Sequence, residues 1–383
     1  RRVTGMNRMK VMTIVGTRPE LIKLSRVIAE LDKTMDHVLV HTGQNYDDEL
    51  NKVFFDDLEI RQPDYYLDAA GETAVETISQ VLSKVDPVML KEDPDAVLLY
   101  GDTNSCLSAI VAKRRKIPLF HMEAGNRSFD ERVPEEINRR IVDHISDINM
   151  PLTEHARRYL IQEGIRSETI IKIGSCMEEV LDYYRPKFDK SEICETLGLI
   201  KNEYFLISAH REENVDTPER LLGLMDSLEA LVEEYDIPVI FSVHPRTKAR
   251  LDELSNNTFH EKIVLMKAMG FMDYIKLQQH AKCVISDSGT IAEESSLLKI
   301  PAVTLRQAHE RPEGMDEGLL IMSDLTPEKV LQSVEMVLSQ HGESGEKFRQ
   351  VEDYNGGNVS LKVSRIIQSY TDYINRTVWR NYN

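Results

Sequence analysis

Cysteine is scarce in this sequence, with four in 383 residues. The cysteines form no CxxC pair, and no nearby histidines stand at the spacing of a zinc site. We therefore expect no metal, and reduced structural thiols at Cys106, Cys176, Cys194 and Cys283.

Long apolar runs are also absent. Runs such as "AVLLY" and "IPVIF" fall far short of the roughly 20 residues that a membrane-spanning helix needs, and no signal peptide precedes them. We therefore expect a cytoplasmic protein with no membrane partner.

Net positive charge is missing as well, because 64 acidic residues outnumber 47 lysines and arginines, for a formal charge of −17. This excess argues against nucleic-acid binding, which relies on a positive surface. The sequence contains neither a GxGxxG fingerprint nor a P-loop, so no NAD or other cofactor is expected. Any anionic ligand must then meet a local basic cluster.

What the sequence does have is a regular alternation of short β-branched runs and amphipathic stretches. This pattern indicates βαβ units with parallel sheets, and so predicts an α/β protein. The chain exceeds the length at which one hydrophobic core usually keeps growing, so we expect domains at 9–186 and 187–357, with a helix at 358–376 that crosses back to the first. The strand-like runs are "KVMTIV", "HVLVH", "AVLLYG", "IPLFH", "YFLISAH", "IPVIFSVH", "KIVLM", "KCVISDSG" and "IPAVTL".

Nearly every one of these runs is followed directly by a polar cluster. Functional groups of parallel sheets gather at the carboxyl ends of the strands, so these clusters are candidate site segments. They are "GTRPE" (16–20), "HTGQNYD" (41–47), "GDTNS" (101–105), "HMEAGNR" (121–127), "SAHREEN" (208–214), "SVHPRT" (242–247) and "SDSGTIAEE" (286–294).

Two clusters of the first half admit two interpretations each. In "GTRPELIK", Arg18 and Lys23 lie at a strand-to-helix turn, which is either an ordinary helix start or an anion site. Asp102 in "GDTNS" is either a helix cap or a functional carboxylate.

The stretch "HMEAGNRSFDERVPEEINRRIVDH" (121–144) is rich in charge of both signs. Glu123 follows a buried-looking run at a strand tip, where a solvated carboxylate has little reason to be preferred, so a functional role is favoured. Pro134 suits the first position of a helix, and glutamates in its first turn would complement the helix dipole whether or not they are functional.

The charges of that helix divide between two roles. Glu135 and Arg139 share one face at i,i+4 spacing, which makes them site candidates. The other positions predict a different, apolar face at Ile137 and Ile141, and a solvated pair of Glu136 with Arg140.

The stretch "SDSGTIAEESSLL" predicts a strand, a turn of small residues and a helix. Ser288, Gly289 and Thr290 present backbone N–H groups at the helix N-terminus, an arrangement that holds diphosphates, and Glu294 is placed to accept from ribose hydroxyls. A lone glycine turn is by itself weak evidence. A single basic residue at a strand end is more often structural than functional. The predicted second domain, however, has five at such positions: His210, Arg211, His244, Arg246 and Arg311.

Taken together and in order, these motifs resemble the non-hydrolysing UDP-sugar 2-epimerase family from about residue 9 to residue 376. The resemblance implies the GT-B architecture, with two Rossmann-like domains, UDP held mainly by the second, and the sugar in the cleft. It also implies a UDP-sugar substrate and a homodimer. The motifs that carry it are "GTRPELIK", "GDTNS", "HMEAGNRSFDERVPEEINRR", "SAHREEN", "HPR" and "SDSGTIAEES…HERPE".

The implied reaction inverts carbon 2 of a 2-acetamido sugar nucleotide. Because carbon 2 is not next to a carbonyl, deprotonation alone gives no enolate, and inversion needs redox chemistry or elimination. The resemblance implies elimination of UDP to a 2-acetamidoglycal, followed by re-addition with the proton delivered to the other face. Such a site needs cations at the phosphates and carboxylates around the sugar.

The resemblance also implies roles for residues at matching positions. Asp102, Glu123 and Glu135 would remove and return the proton, in an order that the sequence does not assign, and Lys23 and His210 would complete the catalytic centre. Phe271 and Tyr274 lie in the segment that borders uracil, but they are equally well explained as core aromatics. The other implied contacts of the UDP-sugar are Arg18, Arg139, His244, Ser288, Gly289, Thr290, Glu294 and Arg311.

Departures from the family pattern bear on the substrate. UDP-GlcNAc 2-epimerases usually have "EAGLR" and "DSGG", where this chain has Asn126 in "EAGNR" and Thr290 in "DSGT". The string 121–144, "HTGQNYDDEL" and the ending "YINRTVWRNY" look more like the branch that makes UDP-N-acetyl-L-fucosamine from UDP-2-acetamido-2,6-dideoxy-L-talose, for capsule or O-antigen sugars. Asn45 after Gln44 replaces the histidine of members that have an activating second UDP-GlcNAc site, which puts such activation in doubt.

Three alternatives stay open. They are a UDP-GlcNAc 2-epimerase that makes UDP-ManNAc, a GT-B glycosyltransferase, and a nucleotide-sugar-binding protein without catalysis. The first differs only in the sugar that it turns over. Transfer would need an acceptor and would not exchange solvent deuterium into carbon 2, and a binding protein has little need for three carboxylates beside a diphosphate site.

Overall fold

The computed structural model describes residues 6–43, 52–254, 258–307, 309, 311–342 and 347–382. The chain divides into two compact units: a first unit of Arg1–Val180 with Asn355–Asn383, and a second unit of Leu181–Tyr354. This division falls within one helix, Met177–Asp189, as does the boundary predicted between residues 186 and 187.

Strands and helices alternate along the described residues. The strands are β1 (Lys10–Val15), β2 (Asp36–His41), β3 (Tyr65–Tyr66), β4 (Ala96–Tyr100), β5 (Leu119–Met122), β6 (Ile148–Met150), β7 (Phe205–Ser208), β8 (Val239–Val243), β9 (Ile263–Lys267), β10 (Cys283–Ser286), β11 (Ala302–Thr304) and β12 (Ile321–Met322). The α-helices are α1 (Arg18–Thr34), α2 (Lys52–Leu58), α3 (Ala74–Glu92), α4 (Ala109–Arg114), α5 (Pro134–Ile145), α6 (Glu154–Gln162), α7 (Met177–Asp189), α8 (Ile193–Thr196), α9 (Glu212–Val215), α10 (Pro218–Tyr235), α11 (Pro245–Leu254), α12 (Phe271–His280), α13 (Ile291–Leu298), α14 (Pro312–Asp316), α15 (Pro327–His341) and α16 (Val359–Thr377).

The two units have the same sheet topology. Their strand orders are β3-β2-β1-β4-β5-β6 and β12-β11-β10-β7-β8-β9, with all pairs parallel. In each unit the first and fourth strands are neighbours, which is the topological switch point where α/β proteins bind ligands. The predicted fold class, α/β with two Rossmann-like parallel sheets, is confirmed.

The central strands are buried along their whole length. All five residues of β4 are buried, as are Val11–Val15 of β1. Helices cover both faces of a parallel sheet, so such strands have continuous apolar sequences. Separate cores form around Ile14 and Leu99 in the first unit and around Phe205 and Phe241 in the second.

The last helix belongs to the first unit. α16 contacts α1 and buries Val359, Val363 and Ile367. The backbone N–H and the hydroxyl of Ser360 both donate to the carboxylate of Glu179, at 2.9 and 2.5 Å. Within the described ranges, no helix combines the length and the apolar character that spanning a membrane requires.

Candidate active site

Polar side chains gather at the switch point of each unit. In the first unit they follow β1, β4 and β5, and in the second unit they follow β7, β8 and β10. In the first unit we define the carboxylate cluster as Lys23, Tyr100, Asp102, Glu123 and Arg139.

Glu123 has the most unusual backbone of the predicted acidic residues. It lies directly after β5 in the left-handed region, with φ of 58°, and is 8% exposed. Its Oε2 accepts a hydrogen bond from the Tyr100 hydroxyl at 2.7 Å and lies 3.8 Å from Nζ of Lys23. Lys23 Nζ also lies 5.5 Å from the centroid of the Tyr100 ring. A buried carboxylate on a strained backbone, beside a phenol and an ammonium, is more typical of a functional group than of a solvated one.

Asp102 is held by an arginine rather than used as a helix cap. Its Oδ2 accepts from both Nε and Nη2 of Arg139, at 3.2 and 2.8 Å. The cap interpretation is wrong, because Thr103 occupies the N-cap position of the 3-10 turn Asn104–Ser108, without a side-chain cap hydrogen bond. Arg139 therefore joins α5 to the turn after β4.

The charges of α5 pair differently from the prediction. Glu136 is 2% exposed, and it accepts from Arg139 at 3.0 Å and from the backbone N–H groups of Ser128 and Phe129 at 3.1 and 2.6 Å. The solvated pair predicted for Glu136 with Arg140 is therefore wrong, because loop 126–133 needs a buried acceptor for its backbone. Arg140 pairs with Glu131 on the surface instead.

Two further predictions for α5 have mixed outcomes. The apolar positions Ile137 and Ile141 are 52% and 38% exposed, so this face lies outside the core of the first unit. Pro134 is the first residue of the helix, as predicted, and Glu135 lies half-buried in its first turn.

The start of α1 is linked to the turn after β4 through a residue that the sequence did not single out. Glu20 forms a capping box with Thr17 and accepts the backbone N–H groups of Gly16 and Thr17 at 2.7 and 2.8 Å. It also accepts from the Thr103 hydroxyl at 2.9 Å. Burial raises the pKa of the Glu20 carboxyl, and these hydrogen bonds partly offset the rise. Arg18 begins the helix, with its guanidinium carbon 5.0 Å from a ring centroid, that of Phe54.

A fully buried ion network supports the backbone of the carboxylate cluster. His121 Nδ1 lies 2.8 Å from Oδ1 of Asp143, and its Nε2 lies 2.7 Å from the carbonyl oxygen of Gly101. Because both partners are acceptors, the ring donates from both nitrogens and is positively charged. Asp143 Oδ2 accepts from Gly125 N–H at 3.0 Å and from Arg127 at 2.7 Å. The network therefore holds the glycine turns beside the two carboxylates of the cluster.

The two buried ions of this network stabilise each other. Burial alone would lower the pKa of His121, but Asp143 and the Gly101 carbonyl raise it above its ordinary 6.5. Burial alone would raise the pKa of Asp143, but His121 and Arg127 hold it below its ordinary 3.8. The histidine contribution is complete below pH 6.5 and is lost as pH rises through the folded-state pKa. The aspartate contribution is complete above pH 3.8 and is lost as pH falls through its folded-state pKa.

We expect His121→Gln to lower the free energy of unfolding of the first unit by about 2 kcal/mol in mildly acidic buffer, the scale for a charged hydrogen bond. The loss should shrink in alkaline buffer, where the wild-type ring is neutral too. Trp379 is the single tryptophan and lies in the first unit, so its fluorescence during urea unfolding measures the effect. A wild-type-minus-variant difference that does not change with pH would contradict the charged state of His121.

The turn Ser288–Thr290 in the second unit has the predicted strand-turn-helix form. Ser288 N–H donates to the Ser286 hydroxyl at 3.0 Å, and Thr290 N–H donates to Ser288 Oγ at 3.3 Å. The two hydroxyls of Ser288 and Thr290 are 2.9 Å apart. All three turn residues, including Gly289, are half-buried at the start of α13.

The histidines at the strand ends of this unit are exposed. The side chain of His210, after β7, is 58% exposed, and its Nδ1 lies 3.4 Å from Oδ1 of Asp287. His244, after β8, accepts the Arg246 N–H at 3.2 Å on Nδ1, so one of its ring nitrogens supports the start of α11. Arg211 Nε donates to the carbonyl of Asp287 at 2.7 Å. Asp287 therefore contacts both basic residues that follow β7.

The two aromatic candidates differ in their surroundings. Burial raises the pKa of Tyr274, and interactions with Ser208 and Ser286 at the ends of β7 and β10 partly offset the rise. Phe271 packs edge-on against Tyr184, with ring centroids 6.0 Å apart. Tyr274 thus reaches the switch point of the second unit, whereas Phe271 has a partner typical of a core aromatic.

Two further candidates of this unit are buried and engaged with polar side chains. Glu294 is 6% exposed, and its Oε2 accepts from Nε2 of Gln278 at 2.9 Å. Arg311 is 4% exposed, with Nη2 3.1 Å from Oε1 of Glu293. Both are therefore held by side chains on α12 or α13.

Sequence reasoning missed four supporting residues: Glu20, Tyr100, His121 and Asp287. Their position in the sequence could have identified two of them. Tyr100 ends β4 and Asp287 directly follows β10, and functional groups gather at the carboxyl ends of parallel strands. Gln44 and Asn45, which bear on activation, lie outside the described residues. Among the described residues, no three His, Cys, Asp or Glu side chains are grouped so as to hold a metal ion.

Comparisons with known proteins identify the family. A family model described as UDP-N-acetylglucosamine 2-epimerase matches residues 29–368. The solved structure of UDP-N-acetylglucosamine 2-epimerase from Rickettsia bellii has a TM-score of 0.92 and 57% identity, covering 97% of this chain and 100% of that one. Methanocaldococcus jannaschii UDP-GlcNAc 2-epimerase in complex with UDP-GlcNAc and UDP has a TM-score of 0.87 and 36% identity, covering 94% of this chain and 100% of that one.

A relative with a different named sugar is also similar. UDP-2,3-diacetamido-2,3-dideoxy-D-glucuronate 2-epimerase from Pseudomonas aeruginosa is 32% identical, covering 94% of this chain and 99% of its own length.

Proposed function

This chain belongs to the UDP-N-acetylglucosamine 2-epimerase family, and we propose that its substrate is UDP-2-acetamido-2,6-dideoxy-L-talose and its product UDP-N-acetyl-L-fucosamine. The broader assignment follows from the family: the protein is an isomerase, a non-hydrolysing UDP-sugar 2-epimerase. A homodimer and a place in capsule or O-antigen synthesis are part of the same proposal.

The observation that carries the chemistry is the carboxylate cluster, above all the buried Glu123 with Tyr100 and Lys23 against it. In elimination, a carboxylate takes the proton from carbon 2, and the electron pair of the bond from carbon 1 to oxygen leaves with UDP. Re-addition reverses these steps with a proton delivered to the opposite face of carbon 2. Two faces require at least two proton-transfer groups, and Asp102 and Glu135 are the other carboxylates proposed for them.

The leaving diphosphate needs positive charge and N–H donors. In the second unit we assign this role to Gly289 N–H and the hydroxyls of Ser288 and Thr290 at the start of α13, with Arg311 as the cation and His210 as a further contact. Arg18 is the candidate cation of the first unit. In the second unit, Glu294 would accept from ribose hydroxyls. Tyr274, with its hydroxyl at the end of β7, would border the uracil together with Phe271.

The choice of a 6-deoxy sugar rests on two departures from the family pattern, Asn126 after β5 and Thr290 at the start of α13. Neither residue is fully exposed on the surface. Asn126 replaces the usual leucine and is only 5% exposed; it lies between Gly125 and Arg127, which both bind Asp143. Thr290 replaces a glycine and adds a hydroxyl that contacts Ser288. A change of sugar within one family is expected to alter such positions.

The second candidate substrate is UDP-GlcNAc, converted to UDP-ManNAc. It is favoured by the names of the similar structures, one of which contains UDP-GlcNAc and UDP. The Pseudomonas aeruginosa relative acts, by its name, on a different UDP-sugar, so membership of the family does not decide between the two sugars.

Proton NMR in deuterated water tests the proposal. The purified protein is incubated without added cofactor, with UDP-2-acetamido-2,6-dideoxy-L-talose and UDP-GlcNAc in separate tubes. We expect deuterium at carbon 2 and L-fuco product from the talose derivative alone, because each turnover returns a solvent-derived proton to carbon 2.

The other outcomes are equally informative. Exchange only in UDP-GlcNAc would replace the proposed substrate by the second candidate. Exchange in neither would contradict epimerisation of these sugars, and a requirement for an acceptor would indicate a glycosyltransferase.

A further inference from the structure

The strands β7 and β10 bring His210 and Asp287 together at the switch point of the second unit. We propose that Asp287 is a positioning residue for His210: its Oδ1 accepts the Nδ1 proton of the imidazole, which leaves Nε2 as the nitrogen that faces the substrate. The inference deepens the proposed function, since it rests on the role of His210 at the diphosphate.

Asp287 is held rigidly by its backbone and by one carboxylate oxygen. The residue is fully buried, and its N–H donates to the carbonyl of Ser208 at 3.0 Å, continuing the β7–β10 pairing. Oδ2 accepts three hydrogen bonds, from the N–H groups of His210 and Arg211 at 3.0 and 2.9 Å and from Nδ2 of Asn214 at 3.0 Å. This oxygen orders the loop after β7 and has no capacity left for the imidazole ring.

The second oxygen is the one aimed at the ring. Oδ1 is buried and has no hydrogen-bond partner among the described residues. The polar side-chain atom facing it is Nδ1 of His210, at 3.4 Å, which is beyond the usual 2.7–3.2 Å of an N–H···O bond. A buried carboxylate oxygen without a donor is destabilising. The imidazole is 58% exposed, and a small turn about its side-chain bonds would complete the bond.

A carboxylate can only accept, so this bond fixes the tautomer of the ring. With the hydrogen on Nδ1, Nε2 of the neutral ring is an acceptor, and Nε2 of the protonated ring is a donor. Without Asp287, an exposed histidine favours the opposite tautomer and samples several orientations. The pair thus resembles the buried carboxylate and catalytic histidine of a triad, in which the carboxylate orients the ring. Here the two residues lie at the ends of two adjacent parallel strands.

Asp287→Asn tests the inference without removing the acceptor for the backbone. The N–H groups of His210 and Arg211 require an oxygen, so the amide oxygen must take the place of Oδ2, and the amide NH₂ then faces Nδ1. That NH₂ donates to Nδ1 and forces the hydrogen onto Nε2. We expect turnover to fall by about 10²-fold or more, with the Kd of UDP changed by less than about threefold, because the chain fold and the turn Ser288–Thr290 stay in place.

Asn214→Ala is the matched control. It removes one of the three donors to Oδ2 and the bond from Asn214 to the carbonyl of Leu305, but it leaves both oxygens of Asp287. A purely structural role of Asp287 predicts that both variants lose stability and turnover together. A positioning role predicts that Asn214→Ala keeps turnover within about threefold while Asp287→Asn does not.

Nitrogen-15 NMR of the histidine rings gives a readout that does not depend on any substrate. The spectra are recorded on the ligand-free protein with labelled histidine, in buffer alkaline enough that the ring signals no longer shift. The His210 signals are those lost in His210→Gln. We expect the Nδ1–H tautomer in wild type and the Nε2–H tautomer in Asp287→Asn.

A wild-type ring protonated on Nε2 would overturn the inference, as would Asp287→Asn with wild-type turnover. If Asp287→Asn does not fold, the wild-type spectrum still decides the question. If the NMR assay finds no epimerisation but His210 holds the Nδ1–H tautomer, the proposed function fails while the pairing with Asp287 stands.

Discussion

Replacing Glu123 with glutamine is expected to lower epimerisation by roughly 10²-fold or more, the scale for losing a positioned acid or base, while UDP binding persists. The amide cannot accept the proton of carbon 2. The Tyr100 hydroxyl can still donate to the amide oxygen, so the variant keeps the 2.7 Å contact that orders the wild-type side chain. The loss would therefore report on chemistry rather than on folding.

The same substitution should lower solvent deuterium exchange at carbon 2 in proportion to turnover, measured by proton NMR. Glu131→Gln is the matched control, because that carboxylate belongs to the same charged stretch but is 79% exposed and pairs with Arg140 on the surface. Asp102→Asn and Glu135→Gln extend the series. If all three site variants retain near wild-type rates, the assignment of the carboxylates to proton transfer is wrong.

The largest effect on stability is expected from Arg139→Met. Arg139 is 5% exposed in its side chain and pairs with Glu136, which is 2% exposed, and with Asp102. Removing one partner of a buried ion pair leaves an uncompensated charge, which costs about 3–5 kcal/mol. Turnover should also fall, because Asp102 loses both hydrogen bonds that fix its position.

Urea unfolding followed by Trp379 fluorescence measures this loss in the first unit. Arg140→Met, the next residue on α5, is the control: its partner is exposed, so the expected change is below about 1 kcal/mol. A second control is the double variant Arg139→Met with Glu136→Gln. Its loss in free energy of unfolding should be smaller than the sum of the losses of the two single variants, because each single substitution already removes the same ion pair. Equal losses for Arg139→Met and Arg140→Met would contradict the buried pairing.

The strands of the fold were mostly predictable, because buried parallel strands have continuous β-branched sequences. The strands that sequence reasoning missed are β3, β6 and β12, which have two or three residues each and lie at sheet edges. Such short strands exist because a neighbour offers a free edge, and a sequence window does not contain that neighbour.

The site was predictable in its residue types and less so in its pairings. Asp102 looked like a helix cap because Arg139, which holds it, is 37 residues away in sequence. Glu136 looked solvated because a helix position shows its i,i+4 neighbour but not the loop N–H groups of Ser128 and Phe129. Local spacing identifies what a residue can do, whereas the partner that decides its role comes from the fold.

The return of α16 to the first unit has a consequence for biosynthesis. A ribosome completes the second unit, Leu181–Tyr354, before it makes the helix that packs on α1. The second unit has a contiguous sequence, whereas the part of α1 that packs on the last helix stays uncovered until Val359–Thr377 has been synthesised. Translation that stops before that helix would leave the surface of α1 that packs on it exposed to solvent.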